Sequence, residues 1–180
     1  MPLLPKEPDI LPETIFDLRE PWCVAHVRSR QEKVLARHLA QRQVAFYLPQ
    51  TEKSAARGGR TFTSHVPLFP GYVFFRGAAA ARQAALRSHV VARLIEVDDQ
   101  PLLTEELRQI RRLQLAGASL IPVDELLPGD SVRISGGAFD GYRGVVVRGG
   151  RADRLLVSVS LLRRVVAVEF PRQMLKRRRT

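Results

Sequence analysis

The chain has 180 residues, 45% of them apolar, and carries a net charge of +11 with a pI near 11.1. That apolar share excludes a disordered chain, and the length admits one ordinary domain or two small ones. The charge predicts an acidic partner, nucleic acid before a membrane surface, while the lone Cys23 excludes an intramolecular disulfide and argues against a thiolate metal site.

The charge is uneven along the chain. Residues 127–180 hold 12 Lys/Arg against 4 Asp/Glu, whereas residues 1–126 hold 17 against 14. The first twenty residues carry four prolines and five acids, the opposite of a signal or transit peptide. No apolar run approaches the ~20 residues that span a bilayer. A soluble, cytoplasmic protein without membrane contact is expected.

Residues 1–20 read as an irregular extension, because closely spaced prolines and acids sustain neither helix nor ladder. Trp22–Val27 is the first strand. Ser29-Arg30-Gln31-Glu32 has the form of a capping box, and Val34, Leu35, His38, Leu39 and Arg42 share one face of a helix over 30–43. Residues 44–48 form a second strand stopped by Pro49. Arg57-Gly58-Gly59-Arg60 marks the tip of a long hairpin that returns through 61–68 into 71–75, the most strand-like run of this half. Alanine-rich 78–87 is helical by propensity, 91–97 is a strand, and Thr104 caps a third helix whose face carries Leu107, Ile110, Arg111 and Leu113 and which ends near Gly117. This order predicts an α+β fold, an antiparallel sheet packed on helices.

Residues 119–126 read as a linker. After Pro128-Gly129 the texture changes to short strands at 131–134, 144–148, 155–160 and 165–170. Turns are predicted at Gly136-Gly137, Asp140-Gly141 and Gly149-Gly150. Several short strands in so small a unit imply a barrel, which closes its own edges. Val132/Ile134 and Val157/Val159 alternate, putting one face of each strand inward.

Two segments resemble a known family. Gly129-Asp130-Ser131-Val132-Arg133-Ile134 followed by Gly141-Tyr142-Arg143-Gly144-Val145-Val146-Val147 resembles a KOW motif. Pro67-Leu68-Phe69-Pro70-Gly71-Tyr72-Val73-Phe74-Phe75 resembles the hallmark strand of the NusG N-terminal (NGN) domain. Together they cover residues 21–175 in the family's order. The resemblance implies an NGN domain at 21–118 with an RRM-like order of elements, a linker at 119–126 and an SH3-like β-barrel KOW domain at 127–175, set between the irregular extension at 1–20 and a basic tail at 176–180.

The resemblance further implies a non-enzymatic, monomeric transcription elongation and antitermination factor. Such a factor binds the β′ clamp helices of RNA polymerase through its NGN domain and suppresses pausing. Through its KOW barrel it recruits a small-subunit ribosomal protein or Rho. His26, Phe69, Pro70, Gly71, Tyr72 and Phe74 are the candidate polymerase contacts, with Phe69 and Tyr72 expected to face outward, since an exposed aromatic on a rigid strand suits a hot spot. Arg28, Arg30, Gln31, Lys33, Arg57 and Arg60 are the candidate contacts to non-template DNA, where cations and helix N-terminal amides suit phosphate. Gly129, Asp130, Gly141 and Gly144 are the structural KOW positions. Arg28–Lys33, 41–49 and 161–169 resemble specialised NusG paralogs, the RfaH-like or polysaccharide-operon antiterminators. A relative of that kind meets the polymerase β gate loop with a His-Thr-rich patch, for which this chain has Gln83-Ala84-Ala85-Leu86. The β-branched 145–147 and 165–168 disfavour helix, so a stable barrel is expected.

Two rivals stand beside this reading. An RNA-binding or ribosome-associated KOW protein without polymerase affinity is one; yet an RRM stacking strand wants a cation at Pro70, a small residue at Val73 and an aromatic at Gly77. An enzyme is the other. His26, His38, His65 and His89 lack metal-ligand spacing, and neither a nucleophile elbow nor a P-loop is present. No cofactor, metal or catalytic residue is expected.

Overall fold

Trp22–Val27 is paired on both sides, by Tyr72–Arg76 and Val91–Ile95, in a five-stranded antiparallel sheet of the computed structural model, which describes residues 8–118, 120–123, 130–134, 143–149, 152–162, 164–170 and 175–176. In chain order the first elements are β1 (Ile10–Leu11), β2 (Trp22–Val27), α1 (Glu32–Gln41), β3 (Phe46–Tyr47), β4 (Gln50–Arg57), β5 (Arg60–Pro67), β6 (Tyr72–Arg76), α2 (Ala79–Leu86), β7 (Val91–Ile95) and α3 (Gln100–Leu115). The sheet runs β1-β3-β6-β2-β7, and β4 and β5 pair only with each other. The chain divides into two units, Met1–Gln100 and Pro101–Thr180.

Alternation gives the first sheet two distinct faces. Cys23, Ala25 and Val27 of β2, Phe46 of β3, and Val73 and Phe75 of β6 join Leu35, Ala36 and Leu39 of α1 and Ala81 and Ala85 of α2 in one buried cluster. His38 Nε2 donates to the Ala84 carbonyl at 2.8 Å, tying α1 to α2. That histidine is structural.

The N-terminal extension is more ordered than its prolines suggest. Ile10–Leu11 pairs with Phe46–Tyr47, a 3-10 turn spans Ile15–Asp17, and Ile10, Ile15 and Phe16 are buried. Proline is compatible with an edge strand because it forfeits only an outward N–H, so Pro12 ends β1 without forbidding it.

Helix α1 begins at Glu32, two residues later than the sequence suggests, with Gln31 at the N-cap and no side-chain cap. Arg30, at φ 60°, takes the left-handed conformation, which separates Ser29 from the helix and defeats the expected capping box. Helix α3 begins at Gln100 rather than at Thr104. Pro101 falls in its first turn, where the missing N–H has no intrahelical partner to lose. Leu103, Leu107, Ile110 and Leu113 are its buried stripe, as the periodicity predicts for the last three. The Gln100 side chain accepts from Trp22 N at 2.6 Å and donates to Trp22 O at 3.0 Å, replacing a strand partner where β7 has already ended.

In the second unit, β8 (Leu120–Val123), β9 (Asp130–Ile134), β10 (Arg143–Gly149), β11 (Ala152–Val159), β12 (Arg164–Phe170) and β13 (Leu175–Lys176) form a six-stranded antiparallel sheet in the order β13-β9-β10-β11-β12-β8. The four expected strands are present with small shifts at their ends. Two readings change. Leu120–Val123, within the expected linker, pairs with Val165–Val168, and Pro122 lies on the edge strand where a proline does least harm. Lys176, the first residue of the expected tail, pairs with Arg133. Gly136-Gly137, Asp140-Gly141 and Gly150 lie outside the described residues, as do 177–180. No helix among the described residues is long and apolar enough to cross a membrane.

Candidate functional site

The sheet face turned away from α1 and α2 carries the aromatic residues singled out in the sequence. Residues directly opposite in a ladder share a face, so its rows can be read from the register. One row is Tyr47, Phe74, Val24 and Ile95; the next is Tyr72, His26 and Arg93. The first row is closed: Tyr47, Phe74 and Val24 are buried, and Phe16 sets its ring edge-on to Tyr47 at 5.5 Å. The second row is open, with Tyr72 and His26 half-buried and Arg93 exposed. The His26 and Tyr72 rings lie 5.1 Å apart, tilted by 42°.

Two candidate contacts are therefore corrected. Phe69 is 2% exposed and Phe74 is fully buried, and their rings meet edge-to-face at 5.9 Å. Phe69 does not face outward. It lies in the interior against Phe74 because two large apolar rings gain more from mutual burial than from solvent exposure.

Between these rings and the open row stands a tight turn. Tyr72 N donates to Phe69 O at 3.1 Å, Pro70 is exposed, and Gly71 has φ +86°. Proline followed by a glycine at positive φ is the pattern of a type II turn, where a side chain at the glycine would be strained. A Cβ there would also sit 3.5 Å from the His26 ring. The turn is clamped from both sides: Gly71 N donates to Glu32 Oε1 at 2.6 Å, and Gly71 O accepts from Val27 N at 2.8 Å. Glu32 is 6% exposed and stands in the first turn of α1, where the helix dipole favours a carboxylate.

That clamp joins the two predicted sites at α1. Arg28 and Arg30 are exposed and Gln31 is half-buried, all within four residues of Glu32. Lys33 is committed elsewhere, its Nζ donating to His65 O at 2.7 Å and so anchoring the base of the hairpin. The hairpin tip does not join this group. Arg60 is five residues beyond the Lys33 anchor, about 17 Å along an extended strand. Arg57 stands opposite Arg60 in the register, and its side chain lies outside the described set. Gly58 and Gly59, at φ 59° and 72°, close the two-residue turn as hairpin twist requires.

Of the structural KOW positions, Asp130 opens β9, Gly144 sits in β10 opposite Val132, and Gly129 and Gly141 lie outside the described residues. In the stretch expected at the gate loop, Ala85 is buried, Gln83 is exposed and Leu86 is 48% exposed. The RRM rival meets a steric obstacle at Gly77, where any Cβ would overlap the Cβ of Ala81. Among the described residues no group of three or more His, Cys, Asp or Glu is gathered to hold a metal ion.

Cys23 lies in the helix-facing core, and burial pushes its thiol above the ordinary value, opposed in part by the Arg82 guanidinium. A raised folded pKa favours the neutral thiol. The stability it contributes is present below the unfolded thiol value and is lost as pH rises toward the folded one. At neutral pH, alkylation of Cys23 by iodoacetamide should run at least ~10-fold slower in the native protein than in the urea-unfolded chain, since only the thiolate reacts. Equal rates in the two states would mean the strand is open to solvent.

The family model described as "NusG: Transcription termination factor nusG" matches residues 20–112. Among solved structures, that titled "Domain interaction in Thermotoga maritima NusG" is similar with a TM-score of 0.54 and 17% identity, covering 88% of this chain and 97% of that one. A chain of the "MjSpt4:Spt5 complex conformation B" covers 86% of this chain and 95% of its own at 15% identity, with a TM-score of 0.27. No curated protein matches the chain. The likeness to the Thermotoga maritima protein is one of fold: an antiparallel sheet with helices.

Proposed function

Since the chain belongs to the NusG family of transcription factors, whose members are not enzymes, we propose that it is an elongation and antitermination factor that docks on RNA polymerase through the open row Tyr72–His26–Arg93. The observation that carries this reading is the pairing of that half-open aromatic row with a turn held rigid by Glu32 and Val27. A pre-organised aromatic loses little conformational freedom on binding, which is what an interface anchor needs. Phe69 and Phe74 support the surface from within; Pro70 and Gly71 shape it. The polymerase element it would meet is the β′ clamp helices.

The exposed Arg28 and Arg30 with Gln31 lie beside this surface and suit the non-template DNA strand, with Lys33 acting through the hairpin base and Arg57 and Arg60 reaching a more distant segment of the same strand. The second unit, whose described strands form an antiparallel sheet, is read as a KOW barrel that engages a small-subunit ribosomal protein or Rho. The resemblance of Arg28–Lys33 and 161–169 to specialised paralogs supports an operon-restricted, monomeric, cytoplasmic factor. Leu86 and Gln83 are the residues left to meet the β gate loop.

The test is capture of core RNA polymerase by the full chain. Tyr72→Ala/His26→Ala should lose at least ~10-fold in affinity, the size of a hot-spot truncation. Its melting temperature should stay near that of wild type, because both side chains are half-exposed. Equal capture by wild type and the double variant would remove this surface from consideration.

A further inference from the structure

The β4–β5 hairpin has two faces of different chemistry. By alternation one face carries Lys53 and Ser64, then Ala55 and Phe62, then Arg60 in its outermost row. The other carries Glu52 and His65, then Ser54 and Thr63, whose hydroxyls lie 3.3 Å apart, then Ala56 and Thr61. The acid of the hairpin is on the second face only. On the first, Phe62 is 56% exposed, a large apolar ring left in solvent between a row with a lysine and a row with an arginine.

We propose that this first face is a stacking platform for single-stranded DNA, with Phe62 holding an unpaired base between phosphates met by Lys53 and Arg60. It rests on the DNA-contacting role given above to the hairpin tip and adds to it a ring and a preference for unpaired strand. Successive rows on one face are about 7 Å apart, so cation, ring and cation follow one another at a spacing that an extended nucleotide backbone can track. Stacking on an aromatic needs a base whose face is free, which a duplex does not offer and a single strand does. A protein partner fits this face less well. Lysine is depleted at the centre of protein interfaces, and the neighbours of Phe62 on the face are a cation row on each side and an alanine opposite. The hairpin is anchored at its base through Lys33 and His65, so the platform is presented from a fixed point.

The experiment is fluorescence anisotropy with the full chain, using a labelled single-stranded DNA oligonucleotide and the corresponding duplex at two salt concentrations. Phe62→Ala should weaken single-strand binding about tenfold and leave duplex binding unchanged, and Phe62→Trp should restore the single-strand affinity. Lys53→Gln/Arg60→Gln should weaken both and lower the salt slope by roughly one for each phosphate contact removed. Phe62 is exposed, so none of these variants threatens the fold. If Phe62→Ala binds the single strand as wild type does while the cation variant loses affinity, the stacking platform is wrong and the DNA role of the hairpin stands. If the cation variant is also unaffected, or wild type binds neither DNA, both fall. Unchanged DNA affinity with weakened polymerase capture by Phe62→Ala would overturn the platform in favour of a protein contact.

Discussion

Replacing Phe74 by alanine should lower the stability of the first unit by about 3–5 kcal/mol, the usual cost of emptying an aromatic site in a core. The ring is fully buried, its strand neighbours are Tyr47 and Val24, and Phe69 meets it edge-on at 5.9 Å. Removing it takes away both the transfer free energy of the ring and its contacts with neighbours that ladder bonds prevent from collapsing inward. Urea denaturation followed by the fluorescence of Trp22, the chain's single tryptophan, reads the loss as a fall in midpoint at constant slope. Phe74→Leu fills most of the space and should cost markedly less. A loss under about 1 kcal/mol for the alanine variant would place the ring on the surface. The same geometry makes Phe69→Ala a folding variant, so its loss of polymerase capture would say nothing of the interface.

Glu32→Ala should cost about 2 kcal/mol, within the range of hydrogen bonds to charged groups. The carboxylate is nearly buried and accepts from Gly71 N at 2.6 Å, so its removal leaves a part-buried donor without that partner. Glu32→Gln keeps a side-chain oxygen at the same reach and should lose less than half as much. The loss should be concentrated at the Pro70-Gly71 turn. Amide hydrogen exchange at Gly71 should therefore accelerate in the alanine variant by more than at Val73 in the strand beyond it. Unchanged exchange at Gly71 together with wild-type stability would show that Val27 alone holds the turn. Polymerase capture by Glu32→Ala, measured where it remains folded, should weaken even though Glu32 is not itself an anchor, because the turn is no longer pre-organised.

Much of the architecture was legible in the sequence because it depends on near neighbours. Val24 and Val73 sit in runs whose composition favours strands, Leu35 and Leu39 are four apart on α1, and the Gly58-Gly59 pair marks the hairpin tip. Other features were hidden by distance along the chain. The Glu32–Gly71 bond joins residues 39 apart and the Gln100–Trp22 pairing residues 78 apart, and neither leaves a local trace. Arg93 enters the candidate site only because β7 pairs with β2. Phe62 sits in an alternating run that reads the same whether or not a second layer covers it.

The two aromatic segments of the first unit show where the division falls. Period-two alternation determined that Tyr72 and Phe74 share a face and that Val73 and Phe75 share the other, because the pleat of a strand allows nothing else. The sequence likewise determined that the chain carries the features of its family. It did not determine which part of the Tyr72–Phe74 face meets solvent. That was decided by the tertiary structure, which folds Ile15 and Phe16 into the interior, turns Phe69 onto Phe74 and leaves the row through Tyr72 and His26 half-open. Burial is set by what lies opposite a residue in space, and for this face the covering residues come from segments that local pattern alone had read as irregular or as exposed.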